Sequence, residues 1–170
     1  MEFKASLDIQ AKVITGFTIV LFVAIGWRCA QDIMNRSTDL ASVFGLGVPF
    51  LIFGAGLIIT FLLAPQKYML SHEELIIKRP LKDVVIKLSN IGQVYLVPEN
   101  AIIFSLRTLG SGGLFGYFGR YYNIKLGNYT AYATRRDNRL MIVTKEGQKI
   151  VLSPDDVNMF SHIDERKPLI

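Results

Sequence analysis

Few side chains in this 170-residue chain are of types that do covalent chemistry, and those few stand apart. His72 and His162 are the only histidines, and neither has metal-ligand spacing around it. Cys29 is the single cysteine, which excludes an internal disulfide framework. It ends an apolar run, where a thiol behaves as a small buried apolar group. No Gly-x-Ser-x-Gly elbow presents a serine nucleophile. Asp155 and Asp156 are adjacent carboxylates, but Ser153-Pro154 before them makes a helix start. Ser caps, Pro suits the first helical position, and the carboxylates favour the positive end of the helix dipole. These residues predict no catalysis, no metal and no cofactor.

Binding chemistry has one concentrated source. Arg107 to Tyr129 reads Arg-Thr-Leu-Gly-Ser-Gly-Gly-Leu-Phe-Gly-Tyr-Phe-Gly-Arg-Tyr-Tyr-Asn-Ile-Lys-Leu-Gly-Asn-Tyr, with six glycines and six aromatics in what reads as one connection. Glycine at this density permits positive φ and close backbone approach, as phosphate-binding loops require. The Walker pattern fails, because no Gly-Lys-Ser/Thr follows. The dinucleotide pattern fails too, since its third glycine position is Phe115. Two readings stay open: a structural loop whose rings fold back on the domain, or an aromatic-basic surface for membrane or protein. The second names Arg107, Phe115, Tyr117, Phe118, Arg120, Tyr121 and Lys125, with Arg135 and Arg136 next along the chain. Helical-turn spacing within the stretch predicts inward phenylalanines and at least two tyrosines reaching solvent or a partner.

The elements that would carry this stretch divide the chain in two. Leu40 to Gln66 has no charged residue, and its apolar heart, Ser42 to Ala64, is long enough for a bilayer core of about 30 Å. Val13 to Trp27 is also uncharged, and the stems of Lys12 and Arg28 extend the usable helix to roughly 9–30. A cleaved signal peptide would end in small residues at alternate positions, unlike Trp27-Arg28-Cys29-Ala30-Gln31. The expectation is a two-helix transmembrane anchor over 1–66, with spans at about 9–30 and 42–65 and a polar connection over Gln31–Leu40. Gly56, Thr60 and Ala64 form a small-residue stripe suited to helix packing, and Pro49 is placed to kink the outer half.

The first 65 residues are neutral, and the whole basic surplus follows Pro65, with fifteen Lys/Arg against ten Asp/Glu. Two spans put both termini on one side, and Lys67, Lys78, Arg79 and Lys82 beside the second span select the cytoplasm. A basic domain there faces an anionic leaflet, and its membrane tether disfavours nucleic acid as a partner.

From Tyr68 onward the period changes. Glu74–Lys78, Val84–Leu88, Gly92–Val97, Ala101–Leu106, Tyr129–Thr134, Leu140–Thr144 and Lys149–Leu152 are short Ile/Val/Tyr/Leu runs parted by turn residues. About seven antiparallel strands over 67–170 predict a mainly-β barrel or sandwich. A C-terminal helix with Val157, Phe160 and Ile163 on one face would cap it.

Three runs in this part resemble the bacterial pleckstrin-homology-like family. They are Ser105-Leu-Arg-Thr-Leu-Gly-Ser-Gly-Gly-Leu-Phe-Gly-Tyr-Phe-Gly, Gly127-Asn-Tyr-Thr-Ala-Tyr-Ala-Thr-Arg-Arg and Ile150-Val-Leu-Ser-Pro-Asp-Asp. The resemblance covers roughly Tyr68 to Phe160. It implies a seven-stranded, partly open barrel capped by one helix, often preceded by two membrane helices, and it implies no activity. It places the protein in the bacterial cytoplasmic (inner) membrane, multi-pass, with both termini cytoplasmic. Phosphoinositide-binding relatives carry a dense basic motif in the first hairpin. Here that turn offers only Lys78, Arg79 and Lys82, interrupted by Pro80, and Phe160 stands where the C-terminal helix usually has tryptophan. Pro65-Gln66-Lys67 is a short tether that already holds the domain at the bilayer, so recruitment by lipid is unnecessary. The expected function is a non-enzymatic membrane interaction or scaffolding protein with a protein partner or self-association. The alternatives are an anionic lipid-headgroup binder or an accessory subunit of a membrane enzyme or transporter.

Overall fold

Tyr68, Leu70, Leu75, Ile77 and Ile86 alternate with more exposed neighbours, the two-residue period of strands with one face buried. They belong to the first of two sheets in a computed structural model, which describes residues 1–35, 45, 47–98, 102 and 105–166. This sheet is antiparallel, ordered β1 (Glu2–Lys4), β2 (Lys67–Leu70), β3 (Glu74–Lys78), β4 (Val84–Lys87). β1 comes from the part expected to be membrane anchor alone. Its central Phe3 pairs with Tyr68 and is buried.

The second sheet contains β5 (Ile91–Val97), β6 (Leu106–Gly113), β7 (Gly116–Asn123), β8 (Gly127–Ala133), β9 (Arg139–Thr144) and β10 (Lys149–Leu152). Its order is β5-β9-β10-β8-β7-β6, with β10 parallel to β8 and the other pairs antiparallel. Leu140, Ile142, Ile150 and Leu152 face the first sheet, while Met141 and Val151 pack on the opposite face with Tyr129 and Ala131. Burial on both faces explains the unbroken apolar runs of β9 and β10. The described residues thus form ten strands in a two-sheet sandwich, rather than about seven wholly antiparallel strands. Of the expected Ala101–Leu106 strand, Ile102 is helical, β6 begins at Leu106, and Ala101, Ile103 and Phe104 lie outside the described residues.

Tyr68 locks the sheets together. Fully buried, it donates to the Tyr132 carbonyl at 2.6 Å and accepts from the Ser153 amide at 3.2 Å. Burial pushes its phenol up to about 12, so it stays a donor at neutral pH. Tyr68→Phe should leave both backbone groups unpaired and lower unfolding free energy by about 1–3 kcal/mol, read from denaturant melts.

The C-terminal helix, α3 (Met159–Arg166), starts later than its expected Ser153 cap. Ser153 is instead fully buried, its hydroxyl accepting from the amides of Thr134 and Arg135. The Asp156 carboxylate accepts from the Asn158 amide just before the helix. Met159 and Ile163, one turn apart, enter the core, and Phe160 is only partly buried beside them. Truncating Phe160 therefore loses less than the about 3–5 kcal/mol of a fully buried ring.

Two apolar helices leave and rejoin this sandwich. The first, α1 (Ile9–Asn35), has 27 residues and is long and apolar enough to cross a membrane over Ile9–Asp32. The second, α2 (Val48–Leu63), has 16 residues, too few to meet that length, and Gly45 and Gly47 before it are π-helical. Of the expected second span at about 42–65, the described part is this shorter helix, while Ser42–Phe44 and Leu46 lie outside the described residues. Pro49 lies in its first turn, where proline fits without kinking. Phe22 stacks on Phe50 with ring centroids 4.2 Å apart and meets Phe53 at 5.7 Å. Gly26 and Gly54 make room for these rings, since a Cβ on either would lie 2.8 or 3.1 Å from one. The expected stripe does not pack this way, for a Cβ on Gly56 would meet nothing within 4 Å.

Candidate functional site

The glycine-aromatic stretch is a β-hairpin rather than a loop. β6 and β7 pair from Leu106↔Tyr122 to Gly113↔Gly116, turning through Leu114 and Phe115, with a register shift between Arg107 and Leu109. Gly110 and Gly119 oppose each other at positive φ, 121° and 116°. A Cβ on Gly110 would lie 2.1 Å from the Phe118 carbonyl oxygen, and one on Gly119 would lie 2.2 Å from that of Leu109. Only glycine lets the two strands approach this closely.

The hairpin tip seats on the bases of both helices. The Phe115 amide donates to the Thr15 hydroxyl at 2.9 Å, and its ring meets Phe61 edge-on at 5.4 Å. Ile14 of α1 lies over Gly113. Asp8 fixes the start of α1. Its Oδ1 accepts from the Ala11 amide at 2.7 Å, an N-cap, and from the Tyr117 hydroxyl at 3.3 Å. Its Oδ2 accepts from the Arg136 amide at 3.2 Å.

Strand alternation then sorts the candidate residues. Tyr117 and Tyr121 share a face with Tyr129 of β8, while Phe118, Arg120 and Tyr122 take the other. The helical-turn expectation for the rings is corrected accordingly. Tyr117 and Phe118 are both buried, Tyr121 is half-buried with its hydroxyl donating to the Ser111 carbonyl, and only Tyr122 of this group is exposed. Arg120 and Lys125 are exposed, but not beside Tyr117.

On the Tyr117 face lies a cleft of about 620 Å³, which gathers Arg107 with Arg136 and Arg139 around Tyr117, Tyr121 and Tyr129. Tyr121 stacks on Tyr129 at 5.5 Å, and the Arg136 guanidinium sits 5.1 Å over the Tyr117 ring. Among the described residues, no carboxylate lines it. Arg139 is half-buried, and its Nε is buried with no hydrogen-bond partner among the described residues. Desolvation pulls its pKa below the usual arginine value, and Arg136 acts in the same direction. Burial also raises all three phenols, Tyr121 to about 12, so each keeps its proton at neutral pH.

The nearest acids are engaged elsewhere. Asp137 holds Arg135 through two hydrogen bonds of 2.6 Å, and Asp8 serves the three donors named above. Arg139 escaped the sequence reading because it precedes an apolar strand and belongs to no basic run. Its signal was a cation opening β9 beside Arg135-Arg136, legible only once β9, β10, β8 and β7 are known to follow one another in one sheet.

A family model described as a bacterial PH domain matches residues 66–167. The chain belongs to the bacterial PH domain family. No curated protein and no solved structure matches it. The matched region of this bacterial PH domain spans β2 to α3 and so includes the whole arginine cleft, whereas β1 and the two helices precede it. Its first-sheet hairpin carries the weaker basic candidates, and two of them are already occupied. Lys78 is ion-paired with Asp83, and that hydrogen bond holds the Asp83 carboxyl below its usual range. Arg79 donates to the Lys82 carbonyl at 2.8 Å and lies 5.5 Å over the Tyr132 ring. The Lys82 side chain is exposed. The concentrated positive charge of this bacterial PH domain is therefore in the cleft, away from that hairpin.

Proposed function

We propose that this protein is a non-enzymatic integral-membrane protein that holds its bacterial PH domain at the cytoplasmic face of the inner membrane as an interaction or scaffolding module. One observation carries the reading: Lys4 pairs with Lys67 across β1 and β2, so the chain leaves the sandwich at α1 and returns to the same place. Ile9, Val13, Phe17, Val20, Val23 and Trp27 of α1 are all exposed, each by more than 60%. Such a surface calls for an apolar solvent. If α1 crosses a bilayer, the uncharged return through Leu40–Gln66 must cross it too, because residues 4 and 67 cannot lie on opposite sides. The Phe22–Phe50 stack and the seating of Phe115 support a domain fixed to its anchor rather than swinging from it.

The test places single cysteines at Arg36 and Glu146 in a Cys29→Ser background. In intact cells only the Arg36→Cys site should react with a membrane-impermeant thiol reagent. After lysis the Glu146→Cys site should react as well. Labelling of Glu146→Cys in intact cells would reverse the topology, and equal shielding of both sites would remove the transmembrane reading.

A further inference from the structure

We propose that the cleft between Arg107, Arg136 and Arg139 is a binding site for a phosphoryl group, and that the headgroup of an anionic phospholipid supplies it. The phosphoryl site itself follows from the cleft alone, and only its lipid source rests on the membrane placement above.

The case begins with Arg139. A guanidinium is rarely taken out of water without a carboxylate, because desolvation is then not offset by attraction. Here the Nε is buried with no partner among the described residues, a second guanidinium is a neighbour, and the Asp137 carboxylate that also feels Arg139 is hydrogen-bonded to Arg135 instead. Arg107 adds a third cation to the same walls. The described residues that line the cleft thus bring three cations and no acid, with Arg107 and Arg136 exposed at its mouth and Arg139 deeper, an arrangement that an anion would relieve. Arginine is the suited donor, since its planar fork meets two phosphate oxygens at once.

The tyrosines restrict which anion fits. The Tyr117 and Tyr121 hydroxyls already donate to Asp8 and to the Ser111 carbonyl, so these residues offer rings rather than donors: the stacked Tyr121 and Tyr129 rings form an apolar wall, and the Tyr117 ring holds the Arg136 plane in place. A volume of about 620 Å³ exceeds what a small inorganic anion fills and leaves room for a glycerol-sized substituent. Position completes the argument. Tyr117 and Arg136, at one rim, are joined through Asp8 to the first turn of α1, and exposed Leu106 lies among the cleft residues. A headgroup at the bilayer surface is thus within reach of the arginines while its chains stay with the helices.

The experiment uses the full chain, purified in a neutral detergent and exchanged into buffer containing chloride only. Phosphatidylglycerol and phosphatidylcholine are added in equal amounts, and the lipids retained are counted by native mass spectrometry. In parallel, thermal melts are recorded with inorganic phosphate against chloride at matched ionic strength. The wild type should retain phosphatidylglycerol preferentially, and Arg139→Gln should weaken that retention about tenfold or more, the usual loss of a charge-assisted pair. Arg120→Gln, on the opposite face of the same hairpin, should behave as wild type. Without anion, Arg139→Gln should melt no lower than wild type, because it removes a charge whose Nε is buried with no partner among the described residues. A purely structural arginine would give the reverse. Stabilisation by inorganic phosphate without phosphatidylglycerol preference would support the site and assign it a soluble source. No preference for either anion, or equal losses in Arg139→Gln and Arg120→Gln, would overturn the proposal. Neither result bears on the cysteine-labelling topology, so the two readings fail separately.

Discussion

Gly119→Ala should unfold the glycine hairpin and cost the domain about 4 kcal/mol or more, the sum of left-handed backbone strain and broken strand pairing. At φ 116° an alanine is strained wherever it sits, by on the order of 1–3 kcal/mol. Here the added methyl would also lie 2.2 Å from the Leu109 carbonyl oxygen and 2.7 Å from the Gly110 Cα. Both are backbone, so neither can rotate away, and β6 must separate from β7. That separation unseats Phe115 from Thr15 and Phe61 and opens the arginine cleft. Gly147→Ala is the control, with a comparable positive φ of 82° but nothing within 4 Å. It should cost only about 1–2 kcal/mol. Denaturant melts of the full chain in detergent give both values, and equal losses would show that backbone proximity is irrelevant.

Asp8→Ala should give the second large loss, about 2–4 kcal/mol, because one carboxylate serves an N-cap and two further donors. Removing it frays the first turn of α1, frees the Arg136 amide and leaves the buried Tyr117 hydroxyl without its acceptor. The residue thus couples the start of the long apolar helix to the wall of the cleft. Asp8→Asn retains an oxygen that can cap Ala11 and should recover most of the stability. The melting temperature of Asp8→Ala should fall by roughly 5–10 °C for a chain of this size. A melt indistinguishable from wild type would mean that the helix start and the sandwich are not coupled through this side chain. In the phosphatidylglycerol retention assay Asp8→Ala should also weaken binding, while Asp8→Asn should not.

The rhythm of the sandwich was legible where strands are buried by apolar alternation. Glu74–Lys78 and Lys149–Leu152 are read from the sequence with the boundaries they have in the structure. The glycine hairpin was not legible, because glycine carries no strand propensity and has no side chain with which to alternate. Its strands exist because backbones lacking Cβ atoms can lie against each other, a property of the pair and not of either segment. β1 was missed for a different reason. Three residues, Glu-Phe-Lys, make no pattern, and their strand character comes from pairing with β2, more than sixty positions away.

The sequence by itself determined that long apolar helical segments accompany a bacterial PH domain, since hydrophobicity and turn spacing are local properties of the chain. It also determined the residue types of the glycine-aromatic stretch, but not their sides. Tertiary structure decided that the stretch is a hairpin docked on both helices, and that Tyr117 and Tyr121 share a face. It also committed Lys78 and Arg79 to their own neighbours. It alone brought Arg107 to Arg136 and Arg139, residues separated by about thirty positions and joined through the β6-β7-β8-β10-β9 order. Charge density in a cleft depends on which strands are neighbours, and strand order is fixed by the long-range burial of two sheets against each other.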